Sequence, residues 1–141
     1  MLIDFYRLLA TEIHMKKIEV VAAIIKNHDK IFVTRRGYGE FENLWEFPGG
    51  KIETGETKEE ALQREIKEEL ELDICINKYL TTVDYDYSSF HLTMHCFICN
   101  VCGGELHLNA HNDAKWITLE EIDKLPWVPA DLLVIEKLKE I

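Results

Sequence analysis

The sequence predicts an α/β sandwich, with strands and helices interleaved along a single chain of 141 residues. Three observations point to it. Ile18 to Ile25 is an almost unbroken apolar run, as expected of a strand covered on both faces. From Thr57 onward, Leu62, Ile66 and Leu70 recur every four residues, the stripe of a helix lying on a core. His91 to Ile98 alternates, with Leu92, Met94, Cys96 and Ile98 on one face and His91, Thr93, His95 and Phe97 on the other, the period of a strand. The length suits one domain with a true core, and neither repeats nor Pro/Gly-rich linkers divide it.

Taken in order, residues 2–13 place Leu2, Phe5, Tyr6, Leu9 and Ile13 at helical spacing. They predict a short helix docking on the body or on another subunit. A translation start at Met15 would make residues 1–14 an extension to a domain spanning 15–141. The strand at Ile18 turns at Asn27-His-Asp-Lys, and Lys30–Arg36 returns beside it as a hairpin. Gly37 to Asn43 is a loop carrying Tyr38 and Phe41. Trp45 to Lys51 leads into a turn at Glu53–Glu56. A helix then starts at Thr57, whose hydroxyl and Glu60 three residues on form a capping box, and ends near Glu71 or Leu72. Two or three strands are expected next, over 73–87, 91–101 and 104–108, then one at Lys115–Thr118. Helices are expected near 119–124 and 130–140.

Composition excludes several classes. Apolar residues make up 47% and charged residues 30%, a globular balance rather than a disordered one. No apolar run nears the roughly 20 residues that cross a bilayer, and the N-terminus lacks the pattern of a secretory signal. The net charge of −10 disfavours long nucleic acids, whose phosphates need Lys and Arg. That charge is uneven: residues 40–71 carry 11 acidic and 4 basic groups. Cys96, Cys99 and Cys102 are spaced C-x2-C-x2-C, yet Cys96 and Cys99 on one strand point to opposite faces and do not converge on a metal. The four cysteines, Cys75 included, are expected as reduced core thiols, which suits a cytoplasmic protein.

The acidic block holds the chemistry. Glu65, Glu68 and Glu69 share one helix face, where like charges repel by a few tenths of a kcal/mol per pair. A solvated surface tolerates that. Clustered hard oxygens beside a Gly49-Gly50 turn also suit Mg²⁺ or Mn²⁺, which would relieve the repulsion.

Gly50-x5-Glu56-x7-Arg64-Glu65-Ile66-x-Glu68-Glu69-x-x-Leu72 resembles the Nudix box, with Glu71 where the box has glycine. Ile31 to Arg36, Trp45 to Lys51 and Trp127 to Asp131 resemble the MutT and cytidine triphosphate pyrophosphohydrolase branch of that family. The resemblance implies a Nudix-type α/β/α sandwich with a mixed β-sheet. It also implies a Mg²⁺-dependent hydrolase (Mn²⁺ being the alternative) that cleaves a nucleoside triphosphate to a monophosphate and pyrophosphate. On it, Glu65 is the general base and Arg64 orients a carboxylate. Glu65, Glu68, Glu69 and the Gly49 carbonyl line the metal site, and Glu56 binds metal through water or braces its loop. Glu71 is expected to cost about 1 kcal/mol if it adopts the left-handed cap conformation.

In a pattern like E-H-x4-W, Ala110 stands where many relatives have a further glutamate. Asp113 is a candidate substitute for it, the alternative being that the helix glutamates suffice, and His111 is expected at the surface, with a phosphate contact as the alternative. Asp131 matches a base-reading position or, alternatively, caps the last helix. Arg36 matches a phosphate or sugar contact, with Arg35 on the opposite face. Tyr38, Phe41, Phe90 and Trp127 are stacking candidates. The substrate is expected to be 8-oxo-dGTP or a cytidine triphosphate. ADP-ribose, another nucleotide sugar, a dinucleoside polyphosphate and a non-catalytic nucleotide sensor are the alternatives. A monomer or homodimer without membrane or long nucleic-acid partners is expected.

Overall fold

The computed structural model describes residues 16–141, so the expected helix within residues 1–14 lies outside the described residues. A seven-stranded mixed sheet carries one helix against each face. Its elements are β1 (Lys16–Asn27), β2 (Lys30–Arg36), β3 (Trp45–Glu46), β4 (Gly49–Lys51), α1 (Lys58–Leu70), β5 (Leu72–Asp86), β6 (Phe90–Gly104), β7 (His111–Thr118) and α2 (Pro129–Glu140). Strand order is β3-β2-β1-β6-β5, with β4 also pairing β1 and β7 also pairing β2. The β1–β6 pair is parallel and the remaining ladders are antiparallel.

The apolar run of β1 serves both faces. Val21, Ala23 and Ile25 pack with Leu62, Ile66 and Leu70 of α1, while Ala22 and Ile24 pack with Val134, Ile135 and Leu138 of α2. Each fully buried Leu, Ile or Val contributes roughly 1.5–3 kcal/mol. On β6, Met94, Cys96 and Ile98 join the α2 side, whereas Phe97 and Cys99 join the α1 side. Cys96 and Cys99 therefore do point apart. Burial pushes the Cys96 thiol above its usual range and Cys99 up to about 12. Cys75 and Cys102 correct the expectation of four core thiols, for both are exposed. Cys75 alternates with Ile74 and Ile76, which pack on the α1 side, so it points away from that helix, and Cys102 lies near the same end of the β5–β6 ribbon.

Three further boundaries differ from expectation. No strand forms over 105–108. Instead, the His107 and Asn109 amides donate to the carbonyls of Leu70 and Glu69 at 2.9 and 3.0 Å, satisfying free acceptors at the end of α1. Residues 119–124 reduce to a 3-10 turn at Ile122–Lys124. The last helix starts at Pro129, with Val128 as its cap residue, so Asp131 lies inside the first turn and is not the N-cap.

The capping box of α1 forms as expected, Thr57 accepting from the Glu60 amide and Glu60 from the Thr57 amide. The helix ends with Glu71 in the left-handed conformation, φ 58° and ψ 29°. The Asn109 side-chain amide donates to Glu71 Oε2 at 3.1 Å, recovering part of the strain. Glu71→Gly is therefore expected to raise stability by about 0.5 kcal/mol and leave turnover unchanged. Thermal melting checks the first outcome, and destabilisation would show that the Asn109 contact outweighs the backbone strain.

Candidate active site

The acidic face of α1 meets the β4 turn. Pairing of β4 with β1 sets Gly49 opposite Ala22 and Gly50 opposite Val21. A side chain on Gly50 would collide with the Glu65 carboxylate, and one on Gly49 with the carbonyl of Val21. Both glycines thus allow close approach, Gly50 to the Glu65 carboxylate and Gly49 to the central strand.

Arg64 organises three of the glutamates. Its Nε and Nη2 donate to Glu56 at 2.6 and 2.9 Å. Its Nη1 donates to Glu65 Oε1 at 2.9 Å and to Glu68 Oε2 at 3.2 Å. This net raises the Arg64 pKa above its normal range, chiefly through Glu56. Glu56 also accepts from the Glu53 amide at 2.8 Å, so it braces the loop that enters α1. Desolvation raises the Glu65 pKa, against the opposing pull of Arg64. Glu68 is the open member, its side chain 59% exposed.

Glu69 stands apart from this net. Its side chain is 22% exposed, and among the described residues its buried Oε2 has no hydrogen-bond partner. Burial first, then the charges of Glu65 and Glu46, push its pKa up to about 8. Among the described residues no three His, Cys, Asp or Glu groups close into a metal cage, because Arg64 holds the others. The donors nevertheless fit a hard divalent cation. They are carboxylate oxygens, one of them is buried and uncompensated, and Gly50 keeps the approach clear.

Opposite Glu69 lies a second charged group, in which the sequence marked Arg36 but not its partner Glu46. Arg36 grips Glu46 in a fork, Nη2 to Oε1 at 2.6 Å and Nε to Oε2 at 3.1 Å. Burial would raise the Glu46 pKa, but His111 and Arg36 outweigh it and hold it below the usual carboxylate range. His111 corrects the surface expectation: its side chain is 4% exposed, and it is the first residue of β7 rather than part of a loop. Arg35 points to the other face, as expected, lying 5.8 Å above the Trp45 ring. Asp113 pairs with Arg35 in the β2–β7 ladder, and its Oδ1 accepts from the Ala114 amide at 2.8 Å. It is not brought to Glu69 in place of the missing glutamate.

The cleft between these groups has two parts that share Arg36, Phe41, Glu46, Gly49, Gly50 and Phe90. The outer part, about 430 Å³, reaches Glu69, His111 and Tyr38. The inner part, about 140 Å³, is an apolar slot ending at Asp131. Tyr87, unremarked in the sequence, lines this slot between Phe41 and Phe90, with ring centroids 5.2 and 4.9 Å away. Its hydroxyl accepts the Ala130 amide at 3.0 Å, satisfying a free N–H of the helix that Val128 cannot cap. Burial pushes Tyr87 up to about 12. Asp131 is buried and accepts the Phe47 amide at 3.3 Å, and burial raises its pKa well above the ordinary range.

Phe41 and Phe90 therefore line the cleft, and Tyr38 sits at its rim with 68% exposure. Trp127 is a correction. It is buried against Phe47, with ring centroids 5.2 Å apart, and its indole N–H donates to the Ile122 carbonyl at 2.7 Å. It packs the core and is not a stacking surface.

The chain is 35% identical to a CTP pyrophosphohydrolase of Escherichia coli (strain K12) over 123 residues, covering 86% of this chain and 91% of the relative. It is 33% identical to an 8-oxo-dGTP diphosphatase of the same organism over 129 residues, covering 90% and 100%. The solution structure of the E. coli ORF135 protein superposes with a TM-score of 0.79 at 34% identity, covering 89% of this chain and 91% of that one. The family model described as the NUDIX domain matches residues 15–138, and the chain belongs to that family.

Proposed function

We propose that this protein hydrolyses nucleoside triphosphates to the monophosphate and pyrophosphate in a divalent-cation-dependent reaction. The carrying observation is the two-part cleft. Its acidic, glutamate-lined end suits a cation-neutralised polyphosphate, and its apolar end suits a base. Glu65, Glu68, Glu69 and the Gly49 carbonyl would hold Mg²⁺ or Mn²⁺, with Glu56 bracing the loop or acting through water. Such a cation neutralises polyphosphate charge and lowers the pKa of a bound water.

The chain's own groups supply the rest. Arg64 occupies Oε1 of Glu65, leaving Oε2 to take the proton of the attacking water. Arg36, fixed by Glu46, offers its cationic edge to the sugar–phosphate at the junction of the two parts. Phosphoryl transfer depends largely on such positioning and charge stabilisation.

The base enters the slot among Phe41, Tyr87 and Phe90, with Tyr38 at the mouth. Asp131 holds the Phe47 amide with one oxygen and meets the base edge with the other. Burial favours its neutral form, which both donates and accepts, as a side-chain amide would. Cytidine triphosphates and 8-oxo-dGTP are the favoured candidates, since the two relatives above are named for them.

A panel of canonical and modified nucleoside triphosphates, ADP-ribose and dinucleoside polyphosphates tests this reading. Asp131→Ala is expected to reduce discrimination between the best and second-best base about tenfold or more, and Asp131→Asn to retain most of it. Unchanged preference in the alanine variant would remove Asp131 from base reading. ADP-ribose as the best substrate would replace the triphosphate assignment.

A further inference from the structure

Among the described residues, two buried side-chain atoms lack a hydrogen-bond partner: Glu69 Oε2 and His111 Nδ1. Their side chains face one another. His111 Nε2 lies 4.0 Å from Glu69 Oε2 and 3.7 Å from Glu46 Oε2. Among the described residues, no Lys or Arg nitrogen comes as near to Glu69.

A register shift brings the imidazole there. Arg35 pairs with Asp113, but Arg36 pairs with His111, so Asn112 bulges out of the ladder. The bulged residue is pinned on both sides: its Oδ1 accepts from Arg35 Nε at 2.6 Å and its Nδ2 donates to Asn43 Oδ1 at 2.8 Å. Bulges re-aim side chains. Without this one, regular alternation would put Asn112 opposite Arg36, in the place that His111 takes. Ala110, the preceding residue, has no polar side-chain atom to offer Glu69.

We propose that His111 is a positioning residue whose imidazole sets the Glu69 carboxylate against the Arg36–Glu46 pair. It thereby fixes the cation end of the cleft relative to the sugar–base end. Glu46 is already rigid, held by two bonds from Arg36, whereas Glu69 has three rotatable side-chain bonds and, among the described residues, no hydrogen-bond partner on Oε2. An imidazole carried on a strand, with its Nε2 facing both carboxylates, limits that freedom. The inference rests on the reading of Glu69 as a metal ligand.

Direct Mn²⁺ binding without nucleotide, followed by electron paramagnetic resonance, tests it apart from turnover. Groups that hold a metal ligand in place typically change affinity about 10–100-fold when removed. His111→Ala is expected to weaken Mn²⁺ binding about tenfold or more, and His111→Gln, which keeps a side-chain N–H, to recover part of the loss. His111→Phe keeps the bulk without the N–H and guards against a poorly folded alanine variant. It is expected to bind as weakly as alanine, with melting close to wild type. Wild-type affinity in the phenylalanine variant would reduce His111 to packing and overturn the proposal. Glu69→Gln separates the two readings. If it binds Mn²⁺ like wild type, the metal assignment has failed. If it loses Mn²⁺ while the His111 variants do not, the fault lies with His111 alone.

Discussion

Glu69→Gln is expected to lower kcat/KM by at least about a hundredfold while the protein stays folded, the scale seen when a group acting directly at the reaction centre is lost. The substitution is nearly isosteric, so α1 keeps its packing and Leu62, Ile66 and Leu70 stay where they are. It replaces an ionisable carboxyl at a position where burial and the charges of Glu65 and Glu46 all disfavour the charged form. A buried oxygen without a partner contributes nothing to the metal-free fold. The metal-free melting temperature of the variant is therefore expected to equal or exceed that of the native protein, as when function holds a site in a destabilised state. Added Mg²⁺ should raise the melting temperature of the native protein, because a ligand of the native state stabilises it, and should do so far less for the variant. Full activity, or a large fall in melting temperature, would show that Glu69 serves the fold rather than the reaction.

The two glycines of β4 are expected to fail in different ways. A Cβ on Gly49 would overlap backbone, the Val21 carbonyl on the central strand, which cannot move without breaking the β1–β4 ladder. Gly49→Ala should cost at least about 3 kcal/mol, or roughly 10 °C in melting temperature for a chain of this size. On Gly50 the overlap is with the end of the Glu65 side chain, which can rotate away. Gly50→Ala should thus melt within a few degrees of the native protein, about 1 kcal/mol or less, yet lose most activity as Glu65 leaves its place. Equal destabilisation by both substitutions would refute the distinction.

Parts of this molecule were legible because their signals are local. The stripe at Leu62, Ile66 and Leu70 and the Thr57–Glu60 box define α1 without reference to the rest of the chain, and the spacing of Glu65, Glu68 and Glu69 follows from it. The continuous apolar run of β1 already implied a sheet covered on both faces. What was hidden depends on distant pairing. Nothing in Trp45-Glu46-Phe47 marks Glu46 as the partner of Arg36 until β3 pairs with β2. Tyr87 looks like any strand-end aromatic until its hydroxyl meets Ala130, 43 residues later. A one-residue bulge at Asn112 is invisible to alternation, so the burial of His111 could not be foreseen. The N-cap alternative for Asp131 had a readable remedy, since Pro129 suits the first position of a helix and would have placed Asp131 inside the first turn.

The products formed from a nucleoside triphosphate in the presence of Mg²⁺ test the central claim most directly. Chromatography combined with separate assays for pyrophosphate and orthophosphate is expected to show nucleoside monophosphate and pyrophosphate in equal amounts. Neither should form when the cation is chelated. Release of orthophosphate with a nucleoside diphosphate, or hydrolysis that continues undiminished without a divalent cation, would contradict it.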